Sequence, residues 1–435
     1  MCKDSRLGLL LALLFAGSMW FYVQEVLIPY QKADAAAHGR PRGNLSDLYP
    51  RWLGARELLL RHRDPYSQEV TREIQIGYYG RPLEPDRADD PKDQQGFAYP
   101  VYVVFLLAPT IGLPFPVVQA GSRWLLAILT MLSVPLWLRI VHWRYSATAF
   151  AILLALTLGS FPVVQGIKLQ QLTLLVGGLL AGCCAALVAG HFAVAGFLLA
   201  LATCKPQLAL PMAAWLVLWS ASHWRRRQGF GWSFGLTMAV LLAASQYILP
   251  GWLGRFQQAV SAYGQYTQGA RSLLEVLTTP ALGKVMAAAT ILGVAAAGWH
   301  FRRVVHDSAP FSLMLALVGS ATVVIVPSFA PYNQILLLPA VFLIATSWKH
   351  LWSRNWLTRA ACTAGALVVF WPWVASCGLL LASLVLPAES VQRAWSAPLR
   401  NSLLLPVVVL GLLILCSRDL LEASRVVSQS AAKSP

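Results

Sequence analysis

The chain has 435 residues, of which 57% are hydrophobic and only 12% are charged. Soluble globular proteins carry roughly 25% charged residues, so the composition excludes an ordinary soluble enzyme, a disordered chain and a disulfide-stapled secreted domain. Lysine and arginine total 34 against 18 acidic residues, a formal net charge of +16. The basic residues lie in short clusters between apolar stretches. This is the positive-inside pattern of a multi-pass membrane protein, and it does not indicate nucleic-acid binding.

Twelve mostly apolar stretches approach the length of about 20 residues with which a helix crosses a bilayer core. Their bounds are about 7–28, 99–115, 118–140, 147–164, 171–189, 193–220, 230–249, 281–299, 309–327, 331–348, 359–386 and 399–416. The predicted fold is an all-α polytopic membrane protein, a single domain of about 10–12 transmembrane helices over residues 1–435.

Two of these stretches leave alternatives open. Residues 99–115 are short and interrupted by proline, so they form either a span or a re-entrant segment. Residues 193–220 are long and have Lys205-Pro206 near their centre, which indicates either a broken helix or a tight hairpin, because proline interrupts a helix.

Basic clusters indicate the orientation of the helices. They lie at residues 3–6, 225–227, 302–303 and 349–359. Twelve spans place all of them on the cytoplasmic side with both chain ends, whereas Arg139 and Arg144 fall on the opposite side unless residues 99–115 are re-entrant. The first stretch has about 22 residues. A signal peptide has an apolar region of about 7–15 residues, so an uncleaved first helix is favoured.

The acidic residues are concentrated in one segment. Eleven of the 18 lie between residues 29 and 97, and none lies between Gln94 and Leu274. Proton pumps and ion-coupled transporters usually need carboxylates within the membrane, so an intramembrane acid relay is not indicated. The orientation makes residues 29–97 a long first outer loop. Residues 250–280, which carry several aromatic and basic side chains, become a second outer loop.

The first outer loop contains a predicted surface helix. Four apolar residues share one face at helical spacing: Leu48, Trp52, Ala55 and Leu59. The same spacing points Glu57 and Arg61 away from that face, and Pro50 suits the first turn. Asp47 then lies at or just before the N-terminus, where the helix dipole favours an ionised carboxylate. By itself, this position is explained by a role in starting the helix.

Polar residues inside the apolar stretches have two explanations each. Lys205 costs roughly 3 kcal/mol at a bilayer centre, and no acid lies within residues 193–220 to pair with it. It either extends to the interface or binds the phosphate of a lipid carrier, since lysine is a suitable phosphate ligand. Gln171 lies in a turn that is either solvated or part of a polar cavity. Asn333 follows Pro331 at a predicted helix start.

Several catalytic motifs are missing from the sequence. The seven cysteines have no metal-ligand spacing, and the chain contains no Gly-rich phosphate loop, no HExxH and no GxSxG. We therefore expect no metal ion and no cofactor. A soluble α/β domain for nucleotide sugars is also missing, so a transferase built on this chain would take its donor from the membrane.

Five separated stretches, in order, carry a family resemblance. They are Asp47-Leu48-Tyr49 with Ala55-Arg56 and Asp64-Pro65-Tyr66; Phe97-Ala98-Tyr99-Pro100; Gln171 with Thr173; Ala195 through Lys205-Pro206; and Pro331 through Pro339. Together they resemble glycosyltransferase family 87, which contains polyprenol-phosphate-mannose-dependent α-mannosyltransferases of the GT-C superfamily. The chain departs from the family at Gln170, where the family has glycine, and at Asn333 or Gln334, where it often has histidine.

The resemblance implies a GT-C-like bundle with its active site on the extracytoplasmic side of a bacterial plasma membrane. It implies transfer of a sugar, expected to be mannose, from a polyprenyl-phosphate-linked donor to a hydroxyl of a glycolipid or glycan acceptor, with inversion. Asp47 would be the general base, and Lys205 and Arg56 would bind the donor phosphate. The candidates for sugar or acceptor binding are Tyr49, Tyr99, Gln171 and Asn333.

Two other functions stay open at this point. One is a transporter or flippase of glycolipids or polyprenyl lipids, and the other is a polysaccharide polymerase or ligase that uses a polyprenyl-diphosphate substrate. Secondary transporters are usually built from internal repeats, and the two halves of the chain show none. A transporter also gives no reason for a long acid-rich outer loop.

Overall fold

The computed structural model describes residues 2–37, 46–84, 86–266, 271–327 and 330–422, with only the backbone of residues 2–5, 265 and 266. Every regular element within these ranges is helical, which confirms the predicted all-α fold. The helices divide into three consecutive groups along the chain, and the polar site lies where several of them are broken.

Five helices precede residue 110. They are α1 (Cys2–Phe21), α2 (Ile28–Ala37), α3 (Tyr49–Arg61), α4 (Gln68–Tyr79) and α5 (Val103–Leu107). A π-helical turn over Tyr22–Leu27 joins α1 to α2, so Arg6–Ala37 form one continuous candidate span. Helix α4 begins where Ser67 accepts a hydrogen bond from the Val70 backbone N–H (3.2 Å), and it ends at Gly80, whose φ of 83° suits glycine.

Eight helices form the middle of the chain. They are α6 (Phe115–Ile140), α7 (Ala147–Leu158), α8 (Phe161–Leu169), α9 (Leu172–Val188), α10 (Phe192–Ala202), α11 (Pro206–Ser222), α12 (Trp224–Ile248) and α13 (Trp252–Tyr266). Two neighbouring pairs are strongly bent: α7 and α8 by 54°, and α12 and α13 by 92°. Two further breaks contain polar residues: Gln171 lies between α8 and α9, and Lys205 lies between α10 and α11.

Eight further helices complete the described chain. They are α14 (Leu273–Leu277), α15 (Pro280–His300), α16 (Ala309–Ile325), α17 (Leu338–Thr346), α18 (Trp348–Ser353), α19 (Trp356–Ala382), α20 (Ala388–Arg393) and α21 (Leu404–Leu415). A 3-10 turn over Pro331–Leu337 leads into α17. This turn packs against α8, α9 and α16, which brings residues near 333 to the break between α8 and α9.

Within the described residues, five helical segments are long and apolar enough to cross a membrane, and up to seven are if each bent pair is one span. The five are Arg6–Ala37, Phe115–Ile140, Pro280–Arg303, Trp356–Ala382 and Ala388–Leu415. Four shorter apolar helices of 10–17 residues accompany them within the described ranges. A multi-pass membrane protein is therefore confirmed, while the count of 10–12 spans stays a prediction.

The structure shows where the helices begin and end in both of the segments that were left open. Residues 99–115 form only the five-residue α5 and a 3-10 turn over Ala108–Thr110, too short to cross a bilayer alone. In residues 193–220, α10 ends at Ala202 and α11 begins at Pro206, so the helix breaks at Lys205-Pro206. The interruption follows from the proline, which cannot donate a backbone hydrogen bond.

The core is centred on α16. Every residue from Phe311 to Val324 is buried, as expected for a helix that is apolar on all sides and surrounded by others. Its neighbour α15 buries only Gly283 and Gly298 among its own residues. At Gly298 a Cβ atom would lie 2.9 Å from the Trp215 ring, so glycine permits the close approach of α15 to α11. The exposed remainder of α15 faces outward, as in a lipid-contacting helix.

Candidate active site

Helix α3 places Asp47 at the edge of the bundle. The helix begins at Tyr49, with Pro50 in its first turn, and Asp47 lies two residues earlier, as predicted. The buried face contains Leu48, Trp52, Ala55 and Leu58, close to the predicted set. The prediction that Glu57 points away is wrong: its side chain is 1% exposed and pairs with Arg61 (2.9 Å) and Arg63 (3.0 Å). Because two guanidinium groups meet it, this carboxylate tolerates burial.

The turn between α8 and α9 fixes Asp47 from two directions. The Asp47 backbone N–H donates to the Leu169 carbonyl (2.8 Å), and the Gln171 side-chain amide donates from Nε2 to Asp47 Oδ2. Gln170 between them has a left-handed backbone with φ of 50°. Glycine adopts this conformation without strain, which gives a physical reason for a glycine at this position in the family pattern. The Gln170 amide compensates by donating to the Ile167 carbonyl (2.8 Å).

The break between α10 and α11 brings Lys205 to the same turn. Lys205 is 6% exposed, and its Nζ donates to Thr173 Oγ1 (2.6 Å) and to Gln171 Oε1 (3.2 Å). The Gln171 amide therefore lies between the two charged groups, donating to Asp47 from its nitrogen and accepting from Lys205 at its oxygen. Among the described residues, no carboxylate lies within ion-pair distance of Lys205 Nζ.

The 3-10 turn after Pro331 forms another wall of the site. Asn333 is buried, and its Oδ1 accepts a hydrogen bond from Thr173 Oγ1 (3.2 Å). The Thr173 hydroxyl thus accepts from Lys205 and donates to Asn333, which uses its single proton. The ring of Tyr332 lies 5.0 Å from Lys205 Nζ, within the range of a cation–π contact. Four sequence regions, α3, α9, α11 and this turn, therefore meet at one polar cluster.

Arg51 belongs to this cluster, although the sequence analysis did not select it. Its guanidinium lies 4.6 Å from the centre of the Tyr99 ring, and its NH1 donates to the Asp47 carbonyl (2.8 Å). Its buried Nε has no hydrogen-bond partner among the described residues, so this donor is left for a ligand. The four-residue spacing between Asp47 and Arg51 was the available signal, since such pairs share one helix face.

The site perturbs the ionisation of Asp47. Burial raises the pKa of this carboxyl group above its ordinary value, and the positive charge of Arg51, the Gln171 hydrogen bond and the charge of Lys205 only partly oppose the shift. The Asp47 residue nevertheless keeps some solvent exposure. A carboxylate with a raised pKa is a stronger base than an ordinary aspartate.

The structure brings five of the seven predicted site residues together. They are Asp47, Tyr99, Gln171, Lys205 and Asn333, and the two placed elsewhere are Tyr49 and Arg56. The Tyr49 ring packs edge-on against Phe115 with centroids 4.8 Å apart, and the Arg56 guanidinium lies 5.4 Å from the Trp52 ring. Neither side chain hydrogen-bonds to the Gln171 or Lys205 side chain. Arg51, which the sequence analysis did not select, lies beside Asp47.

One group of potential metal ligands occurs within the described residues. It consists of His350, Asp419 and Glu422. Both carboxylates pair with the Arg354 guanidinium, so their negative charge already has a protein partner. The Asp47 cluster instead brings one carboxylate together with the Lys205 and Arg51 cations, and such cationic donors suit an anionic ligand.

These features define a multi-pass membrane protein with a buried polar site at its helix breaks, where an aspartate lies between cations. The family model described as Glycosyltransferase family 87 matches residues 97–327, just over half of the chain. The chain therefore belongs to glycosyltransferase family 87 and is a membrane glycosyltransferase, as the resemblance implied. No curated protein and no solved structure matches the chain. The matched range contains Tyr99, Gln171 and Lys205, whereas Asp47 and Asn333 lie outside it.

Proposed function

We propose that this glycosyltransferase moves mannose from a polyprenyl-phosphate-linked donor to a hydroxyl of a glycolipid or glycan acceptor, on the extracytoplasmic side of the membrane. One observation carries the proposal: the Gln171 side chain holds the Asp47 carboxylate at its nitrogen and the Lys205 ammonium at its oxygen. The proposed proton acceptor and the proposed phosphate ligand therefore contact the same side-chain amide.

Asp47 is the general base in this proposal. The acceptor hydroxyl gives its proton to the carboxylate as its oxygen attacks the anomeric carbon of the donor sugar. The bond between that carbon and the phosphate oxygen breaks, and its electron pair leaves with the polyprenyl phosphate. Attack from the side opposite the leaving group inverts the anomeric centre. A positioned base typically contributes about 10²–10⁴-fold to such a rate.

Lys205 and Arg51 stabilise the departing phosphate. Lys205 has two acceptors among the described residues, while an ammonium carries three protons. Arg51 leaves its buried Nε without a partner in the same part of the chain. Both cations are therefore able to donate to phosphate oxygens as negative charge develops there. Two cations also suit a diphosphate, so a polymerase or ligase acting on polyprenyl diphosphate is the second candidate.

Replacing the proposed base tests the mechanism. Asp47→Asn keeps the size of the side chain but removes its basicity, so we expect kcat for transfer from polyprenyl-phosphate-mannose to fall about 10²–10⁴-fold. The donor KM should stay within about threefold. Asp89→Asn is the control, because Asp89 is an exposed acid of the same loop. Full activity of Asp47→Asn would show that Asp47 is not the base.

Two arginines of α3 provide a matched test of donor binding. Arg51→Ala should raise the donor KM about 10-fold or more, since a hydrogen bond to a charged group is worth about 1.5–3 kcal/mol. Arg56→Ala should leave it unchanged, because Arg56 lies over Trp52. Equal effects of the two changes would contradict the phosphate assignment. Offering the monophosphate and diphosphate donors in parallel distinguishes the two candidate functions, because only the true donor supports transfer.

A further inference from the structure

A separate cavity of about 500 Å³ lies between the segment that follows α3 and helix α13. Its lining includes Tyr66, Thr71, Gln94, Phe97, Ala262 and Tyr263. An ion pair between Arg255 and Asp64 (3.0 Å) attaches α13 to this segment. The cavity thus joins the two long segments, 29–97 and 250–280, and its volume is within the range of about 300–1,000 Å³ that is usual for small-molecule sites.

The lining has the mixed character that a sugar ring requires. The Tyr66 ring packs edge-on against Phe97 with centroids 5.3 Å apart, and its hydroxyl donates to the Tyr99 carbonyl (2.6 Å). These contacts hold the ring in place as an apolar wall. Thr71, Gln94 and Lys92 add polar groups, and the remaining lining residues are small except for Tyr263. Aromatic walls with a few polar groups suit an amphipathic ligand, whose C–H faces pack while its hydroxyls hydrogen-bond.

The charge of the lining narrows the ligand class further. Lys92 is the one charged residue among the lining residues, and none of them is a carboxylate. A divalent cation would therefore find no strong ligand in this lining. Nor is the cavity an extended apolar channel, because polar side chains and the exposed Lys92 and Gln94 form part of its rim. A polyhydroxylated glycan fits this surface better than a hydrocarbon chain does.

The cavity adjoins the Asp47 cluster. Ala98 lines the cavity. The ring of the next residue, Tyr99, lies against the Arg51 guanidinium, which donates to the Asp47 carbonyl. Tyr263 also lines the cavity, and it lies close enough to Asp47 and Arg51 for their charges to act on its hydroxyl. Tyr99 and Tyr263 thus lie between the cavity and the Asp47 cluster.

We infer that this cavity is the acceptor subsite and that it binds a glycan headgroup entering from the aqueous side. The inference rests on the proposed function and adds the acceptor class to it. The donor lipid reaches Lys205 and Arg51 from the membrane, while the acceptor sugar occupies the cavity beneath α13. The cavity sets the distance between the bound sugar and the base, and so determines which hydroxyl is glycosylated.

Filling the cavity tests the inference. Ala262→Trp introduces an indole into the space, whereas Ser261→Trp introduces the same side chain at the preceding exposed residue, which does not line the cavity. The substrates are polyprenyl-phosphate-mannose and an envelope glycolipid extract of the native host. We expect Ala262→Trp to raise the apparent KM for the extract at least 10-fold. Its donor KM and its slow transfer of mannose to water should match those of the wild type and of Ser261→Trp.

The outcomes separate this inference from the proposed function. An unchanged acceptor KM in Ala262→Trp overturns the assignment of the cavity as the acceptor subsite. If the wild-type protein still transfers mannose, the proposed function stands. A donor KM that rises as much as the acceptor KM also overturns it, because the cavity would then hold the donor sugar. Wild-type protein that moves mannose neither to the extract nor to water overturns the proposed function itself. If Ala262→Trp fails to fold, Ala259→Leu replaces it, with Ser261→Leu as control and the same criteria.

Discussion

Two buried cations of this protein have opposite surroundings. Arg227, at the start of α12, donates to the backbone carbonyls of Trp219 (2.6 Å), Val304 (2.7 Å) and Arg302 (3.1 Å), and it lies 3.8 Å from the Trp219 ring. Lys205 instead donates to two side chains, Thr173 and Gln171. Each cation is 6% exposed, so burial alone does not tell them apart.

The difference lies in what the donors are used for. Carbonyls of the main chain are fixed acceptors, and Arg227 uses them to connect the end of α11 with the 3-10 turn over Phe301–Arg303. Side-chain amides and hydroxyls reorient at low cost, and those around Lys205 are shared with Asp47 and Asn333. We interpret Arg227, whose partners are mainly backbone carbonyls, as structural, and Lys205, which a shared side-chain network holds, as able to exchange its partners for a ligand.

The largest expected effect is a loss of protein stability when Arg227 is replaced. Arg227→Ala removes three hydrogen bonds from a charged donor to backbone carbonyls, each worth about 1.5–3 kcal/mol, so we expect the free energy of unfolding to fall by about 3 kcal/mol or more. Thermal unfolding of detergent-solubilised protein measures the change. The exposed neighbour Arg226 provides the control Arg226→Ala, which should leave the transition unaltered. A small loss in Arg227→Ala would show that the backbone contacts are dispensable.

Replacing Lys205 should change donor binding more than stability. Lys205→Ala removes one proposed phosphate ligand, so the donor KM should rise about 10- to 100-fold, corresponding to about 1.5–3 kcal/mol. The melting temperature should change far less than in Arg227→Ala, because the partners of Lys205 retain other hydrogen bonds. Lys168→Ala is the matched control in the adjoining turn, where Lys168 contacts Gln24. An unchanged donor KM would remove Lys205 from the phosphate site.

The pH dependence of transfer should report on the ionisation of Asp47, which lies near Arg51 and Lys205. Burial raises the pKa of Asp47, and Arg51, Gln171 and Lys205 only partly offset this. Because the ionised form is the base, the rate should fall as pH decreases through this raised pKa. The acid limb of kcat/KM should therefore lie above the ordinary aspartate value of about 3.9. Arg51→Ala removes the largest opposing charge, so it should move the limb to still higher pH; a shift to lower pH would contradict the electrostatic account.

The smallest effect on stability is expected at Gln170, in the turn between α8 and α9. Gln170 has a left-handed backbone, which costs a non-glycine residue about 1–2 kcal/mol. Gln170→Gly relieves this strain but loses the side-chain hydrogen bonds to the Ile167 carbonyl and to Gln119. These terms nearly cancel, so the free energy of unfolding should change by less than about 1 kcal/mol, with transfer intact. Gln170→Val should be clearly less stable in the same denaturation assay, and equal stability of the two variants would contradict the strain argument.

Much of the site was predictable because its signals are local. A proline in an apolar run marks the break that contains Lys205, and a proline in the first turn of α3 marks the position of Asp47. The segment around Asn333 also begins with a proline. Each signal is carried by one or two residues, independent of the rest of the fold. The all-α class followed equally directly from the apolar stretches.

The choice between Arg51 and Arg56 depended on tertiary structure. Both are basic residues of one helix, and the sequence does not state which face of α3 packs against the turn before α9. Glu57 presents the same difficulty, because its burial follows from the positions of Arg61 and Arg63. The bend of 54° between α7 and α8, within the predicted stretch 147–164, also escaped the sequence analysis, since bent and straight apolar helices have similar compositions.

The hydrogen bond from the Asp47 backbone N–H to the Leu169 carbonyl (2.8 Å) has a consequence for how this enzyme can be modified. It anchors the carboxylate to the end of α8, a helix of the bundle, and not to the long segment in which Asp47 lies in sequence. The carboxylate proposed as the base is thus attached to the helical bundle. We therefore expect that segments 62–98 and 250–280 can be redesigned for other acceptors while the Asp47 and Lys205 side chains keep their shared contact with Gln171.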